Sequence, residues 1–285
     1  MVATLSVADS PALDGEALLR RIGEDLDCGI FPVVHNGGRV GLGAAVTNLS
    51  PGHGAQNERR RKEEGSRLEP PAPRQRAWGR QGSPPASATT QVVRNGGLTR
   101  DEETDLDGAS VAYPNVRVRL VPTGIVLSGI LCPIRSVPLG ASLTVYLPLD
   151  REIRVRAWAW WTDGVWIGPR HTNYGDGSIC AFEPSDATWE RGHAVVQLID
   201  LYAVWIARHM YLDRFGRWPG NQVLHTAHER LTESGPDELC GCGSRKNYSQ
   251  CCFEADKVRS LESIRQEFVR RYGRNPLRRP MIPIF

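Results

Sequence analysis

The chain has 285 residues, a formal net charge of +3, 40% apolar and 24% charged residues, with a mean hydropathy of −0.35. That length supports one or two domains with a real core, and the charge is too small by itself to imply nucleic-acid binding. No apolar run approaches the roughly 18 residues of a membrane span. The opening residues, MVATLSVADSPALDGEALLRR, lack a basic segment followed by an apolar one, so no secretory signal is read and a cytoplasmic location is expected.

In chain order, Ala12 to Leu26 predicts one amphipathic helix, with Leu13, Leu18, Leu19, Ile22 and Leu26 on its apolar face. The Gly-rich stretch CGIFPVVHNGGRVGLGAAV reads as one or two short strands, and residues 1–50 are assigned to no domain. Residues 51–110 contain GHG, ERRRKEE, EPPAPRQR and GSPPASATT, with ten basic and nine acidic side chains. Such a stretch buries too little apolar area to offset its ordering entropy, and a disordered linker is predicted.

Order is expected to begin near Tyr113. NVRVRLV, GIVLSGIL, SLTVYLP and IRVRAWAWW are strand candidates separated by turn residues, with Val116, Val118, Leu120, Val126, Leu143, Val145 and Leu147 on inner faces. Short connections predict an antiparallel meander of about four strands. An irregular Gly-rich loop follows. From Trp189 the chain reads as a long helix, with Val195, Leu198, Ile199, Tyr202, Trp205, Ile206, His209 and Leu212 at helical spacing. Asp186 or Thr188 is the expected cap, and Gly216 and Pro219 the stop. Meander, loop and helix define an α+β domain over residues 112–230. A compact Cys-rich unit spans 237–254, and a basic helix and tail span 255–285. That last helix is predicted to start at Asp256, with Val258, Leu261, Ile264, Phe268 and Tyr272 on one side.

Seven cysteines are present, and four of them lie in CGCGSRKNYSQCC, Cys240 to Cys252. An odd number with tight clustering, and no signal peptide, favours metal over disulfides. The spacing C-x-C-x8-C-C offers four thiolates, Cys240, Cys242, Cys251 and Cys252, which suit a closed tetrahedral zinc site of structural type. Gly241 and Gly243 let the backbone curl so that both sulfurs of C-x-C face one ion. With Ser244, Arg245, Lys246, Tyr248 and the Cys251–Cys252 pair, the segment resembles the SEC-C zinc motif. The resemblance implies zinc as cofactor and an accessory module that contacts a protein partner. Arg245, Lys246 and the basic tail also leave nucleic acid as a partner that is not favoured over a solvated basic face.

Cys180 lies in HTNYGDGSICAF, between the predicted sheet and helix, where rigid elements often hold a chemically active loop. His171-Thr172-Asn173, Gly177-Ser178-Ile179-Cys180, Trp189, Trp205 and Trp218-Pro219-Gly220 together resemble bacterial relatives of the ubiquitin-conjugating enzymes, over roughly residues 114–225. The resemblance implies that Cys180 carries a ubiquitin-like modifier as a thioester received from an activating enzyme. Asn173 would then stabilise the oxyanion, and His171 would brace the loop in preference to acting as a base. It also implies a setting in conjugation or defence systems. No nucleotide-binding fingerprint is present, so activation is left to another protein. The runner-up reading is a catalytically inactive conjugating-like adaptor with a zinc module. A third is a nucleic-acid-associated zinc protein.

Overall fold

In a computed structural model, residues 14–42 and 100–280 are described, apart from 29, 36, 135, 136, 138, 183–187 and 223. Leu13, Asp186 and residues 51–99 of the predicted linker lie outside the described residues.

The fold is a mixture of helices and antiparallel sheet. The first helix, α1 (Gly15–Asp27), starts one turn into the predicted span because the Asp14 carboxylate accepts from the Ala17 N–H at 2.7 Å. Leu19, Ile22 and Leu26 face inward as expected. A two-stranded hairpin follows, β1 (Val33–His35) and β2 (Arg39–Gly41). It is tied to the rest of the chain by Gly37 N–H to Ala112 O at 2.6 Å and Val40 N–H to Pro133 O at 2.7 Å.

Order reaches further toward the N-terminus than the pattern suggested. Residues at the end of the predicted linker form α2 (Arg100–Ala112), which buries Leu106 and Ala109 against the core. Few apolar side chains mark this helix in the sequence, because its second role is polar. The Asp105 carboxylate accepts the Val195 N–H at 3.0 Å and so caps a helix distant in the chain.

The four predicted strands appear as β3 (Val116–Val121), β4 (Gly124–Leu131), β5 (Ala141–Pro148) and β6 (Arg156–Trp161), an antiparallel meander in sequence order. The register aligns Val118, Leu127, Val145 and Ala157 across the sheet, and all four belong to one apolar core. The inward set of β4 is therefore Ile125, Leu127 and Leu131, one residue out of phase with the expected Val126. Val126 is buried on the opposite face, beside Arg119 and Tyr146. GIVLSGIL is apolar on both faces of the strand, so period-two reading could not choose between them.

The long helix is α3 (Val195–Phe215). It starts six residues after Trp189, because Gly192 takes φ 105° and Arg191 pairs with His193 in a bridge. Thr188 is not its cap; the Asp105 carboxylate of α2 takes that role. Val195, Leu198, Ile199, Tyr202, Trp205, Ile206 and Met210 belong to the same apolar core as the sheet's inward residues, and Gly216 closes the helix in the left-handed conformation.

Beyond it lie α4 (Ala227–Glu233), a 3-10 turn (Tyr248–Gln250), α5 (Phe253–Lys257) and α6 (Leu261–Tyr272). The predicted helix 256–272 is thus two helices. Asp256 does not start one; it is buried and receives Arg230 through paired bonds of 2.7 Å. Ser260 caps α6, while Val258 and Leu261 are exposed and Ile264 and Phe268 are buried.

Candidate metal centre and cysteine loop

Cys240 and Cys242 sit on the turn that follows Leu239, where the chain doubles back. Leu239 bridges Asn247, and the Cys240 N–H reaches Lys246 O at 2.7 Å. Gly243 has φ 81°, a conformation that only glycine takes without strain, and Arg245 is also left-handed. Cys251 and Cys252 come from the 3-10 turn and the start of α5. The four sulfurs all lie within 4.8 Å of one another. Cys242 Sγ is 3.5 Å from Cys251 Sγ, which is 3.7 Å from Cys252 Sγ. Four sulfurs at 2.3 Å around one tetrahedral ion stand about 3.8 Å apart, so the donor set fits such a metal. Ser244 Oγ lies 3.1 Å from Cys251 Sγ.

Burial holds the Cys240 and Cys252 thiols above their ordinary range. Burial opposes ionisation at Cys242 as well, but hydrogen bonds with Ser244 and Cys251 outweigh it and bring that thiol to about 6. Four adjacent thiolates repel one another. A divalent cation would supply the charge that lets them ionise together.

The cluster is joined to the sheet by a polar seam. Glu238, immediately before it, is fully enclosed and binds Arg170 in a two-pronged pair, with one bond of 2.6 Å. The same carboxylate accepts the Trp218 N–H at 2.9 Å, and Gln222 bridges Arg170 and Leu239 O. Trp218 is the centre of this seam: His171 stacks on it at 4.0 Å, His209 meets it edge-on at 5.0 Å, and Arg170 and Arg208 lie over its ring.

The Cys180 loop is a tight hairpin hung from the end of the sheet. Thr172 bridges Ile179, which places His171 opposite Cys180 and Asn173 opposite Ser178. The Cys180 N–H donates to His171 O at 2.9 Å, and the Ile179 N–H donates to Ala157 O of β6 at 2.7 Å. Gly175 and Gly177 take φ 97° and 64° to make the turn. Asp176 accepts the Ser178 N–H and hydroxyl at 3.0 and 2.8 Å.

Three residues were expected to act here, and the structure brings all three to one cleft of about 550 Å³. Cys180 is half-buried and in no disulfide. The Asn173 amide donates to Ser178 Oγ at 3.1 Å and to Ile179 O at 3.2 Å, so both its N–H groups brace the loop. The His171 ring lies against Trp218, and its carbonyl also accepts from Trp205 Nε1 at 3.0 Å. Burial, with Arg170 and His225 beside it, drives the His171 imidazole well below its usual pKa. It is a neutral brace at physiological pH.

The same cleft contains residues that sequence reasoning did not single out: Arg154, Arg156, Arg271, Arg274 and Arg278. The tail closes one side of it. Gly175 N–H donates to Leu277 O at 2.9 Å, and Arg274 reaches Tyr174 O at 2.8 Å. Tyr174 packs edge-on against Phe268 of α6 at 4.5 Å. The only early signal was the basic character of 257–285, which carries no information about where the tail folds.

Compared with known proteins, the chain matched no family model, no curated protein and no solved structure.

Proposed function

We propose that the protein is a carrier of the ubiquitin-conjugating type, holding a ubiquitin-like modifier as a thioester on Cys180, with zinc bound by Cys240, Cys242, Cys251 and Cys252. The observation that carries this reading is the loop itself. A cysteine is held on a braced hairpin at the end of a four-stranded meander and faces a cleft that also holds Asn173. In the first step the Cys180 thiolate attacks the activated C-terminal carbonyl of the modifier and displaces the activating enzyme's thiolate. In the second, an acceptor amine attacks the new thioester, an amide bond forms, and Cys180 leaves as thiolate while the amine gives up a proton. Asn173 positions the loop, and its amide reaches the oxyanion on release from Ser178. His171 acts through its carbonyl, not its ring. The zinc site is structural: all four positions are taken by sulfur, which leaves none for substrate.

The test is the adduct. The chain is isolated from its native cells in acid without reductant and its intact mass recorded. A mass increase removed by dithiothreitol and lost in Cys180→Ala is the expected result; Cys180→Ser should instead retain a reductant-stable ester. Absence of any Cys180 adduct, with the activating enzyme present, removes the enzymatic reading.

The second reading is the inactive adaptor. It is favoured by the tail, because residues 274–280 lie on the loop and Leu277 bonds to its turn. In that case the zinc unit and the loop serve one protein-binding surface.

A further inference from the structure

The cleft beside Cys180 is unusual in its charge. Five arginines line it, against one carboxylate, Glu229. That carboxylate is already committed: it accepts the Thr226 N–H at 2.8 Å, the Thr226 hydroxyl at 2.9 Å and the Tyr272 hydroxyl at 2.9 Å. Arg278 is committed as well, buried between Glu229 and Glu233. Of the other four, only Arg156 has an acidic partner. Arg156 is 3.4 Å from Asp176, Arg274 bonds only a neutral carbonyl, and Arg154 and Arg271 have no ion pair among the described residues. Gathering like charges around a concave, partly dry site costs energy, and it focuses a positive field where an anion would enter.

The four come from three places: the start of β6, the last turn of α6 and the tail. Guanidinium groups brought to one cleft from separate elements suit a ligand with several negative charges along a chain, which can engage more of them than one compact anion can. Nucleic acid fits less well. Its bases need open aromatic faces to stack on, whereas Tyr174 is buried and the Tyr272 ring is packed against Tyr174 and Phe268. A volume of about 550 Å³ admits a few side chains of an extended peptide.

We propose that this cleft binds an acidic peptide segment, its carboxylates paired with Arg154, Arg156, Arg271 and Arg274. Placed beside Cys180, the segment belongs to the protein that gives or receives the acyl group, and that assignment rests on the thioester reading. The binding itself does not.

The experiment uses the full zinc-bound chain and a fluorescein-labelled octaglutamate peptide, read by anisotropy at about 0.15 M salt, where unfocused surface attraction is largely screened. Octaglutamate should bind, and should slow iodoacetamide alkylation of Cys180 as followed by peptide mass spectrometry. Arg154→Gln with Arg271→Gln should weaken binding about tenfold, the sum of two partly exposed pairs. An equal loss of charge at Arg117→Gln with Arg119→Gln, exposed on β3, should leave it unchanged. Cys180→Ala should also bind normally, which separates this site from the fate of the thioester. No binding, binding without protection of Cys180, or equal weakening by both double variants would overturn the proposal. So would displacement by inorganic phosphate at matching concentration, which marks a simple anion site. An oligothymidylate that binds more tightly with the same arginine dependence would replace the peptide with nucleic acid.

Discussion

Leu127, Val145 and Ala157 of the sheet and Leu198, Ile199 and Ile206 of α3 share one apolar core with essentially no solvent. Between the Cys180 loop and the Cys unit, contact runs through Arg170, Glu238, Arg230, Asp256, Glu229 and three histidines. The first region depends on area removed from water, which is indifferent to pH and tolerant in direction. The second depends on charges that have lost their water and must keep their partners. Two regions of one chain are thus stabilised in ways that fail under different conditions. The Cys unit is not an appendage, since the residues flanking it on both sides, Glu238 and Asp256, are bound to arginines of the larger body.

The largest effect should follow from removing one partner of the seam. Glu238→Ala leaves Arg170 buried without its carboxylate, and should cost about 3–5 kcal/mol by urea denaturation. Leu198→Ala in the apolar core should cost a similar ~2–5 kcal/mol. The two are told apart by pH: the core variant should keep the wild-type pH profile and the seam variant should not. Equal profiles would mean that the seam behaves as ordinary packing.

Metal removal comes next. Chelation, or Cys240→Ser, should disorder the cluster and lower the melting temperature of the whole chain, with a change in Trp218 fluorescence, because Glu238 would lose its position. A cluster that melts alone, leaving Trp218 unchanged, would show the two regions to be separable.

Acid should then act on the seam alone. Burial lowers His225 to about 4 and His209 to about 3, and His171 falls well below 6.5. These rings stay neutral in the fold while the unfolded chain takes up protons near 6.5. Stability is therefore present above that pH and lost as pH falls from about 6.5 toward 4, at up to about 1.4 kcal/mol per pH unit per ring. Glu229, held below its usual range by His225 and the Thr226 and Tyr272 hydrogen bonds despite its burial, acts in the same direction, its contribution disappearing as pH drops through its lowered value. Denaturation at pH 7.0, 6.0 and 5.0 checks this; a flat profile would place the rings in solvent.

The smallest effect concerns the cap that joins α2 to α3. Asp105→Ala should cost about 1 kcal/mol, measurable as a modest fall in melting temperature. No change would mean that water replaces the carboxylate at the Val195 N–H.

The legible parts of this fold are those governed by local periodicity. Strands β3 to β6 could be read from alternation and turn residues, and α3 from its helical apolar spacing, because neighbouring side chains alone decide which face is apolar. Where a segment is apolar on both faces, as in β4, the phase was set by pairing with β3 and β5. The cysteine cluster was equally visible, since its four sulfurs come from one run of 13 residues that includes two glycines.

What local pattern could not determine was which charges meet. Arg170 and Glu238, Asp105 and Val195, and the arginines at β6 and α6 lie far apart in sequence, and each is unremarkable where it stands. The amino-acid sequence by itself determined the strands, the long helix and the four-cysteine cluster, because each is built from residues close in the chain. Tertiary structure alone decided the capping of α3, the break before α6, the buried seam and the charge of the Cys180 cleft. Those depend on desolvated polar groups finding partners across the fold, and the free energy of such a pairing exists only once both groups have left water together.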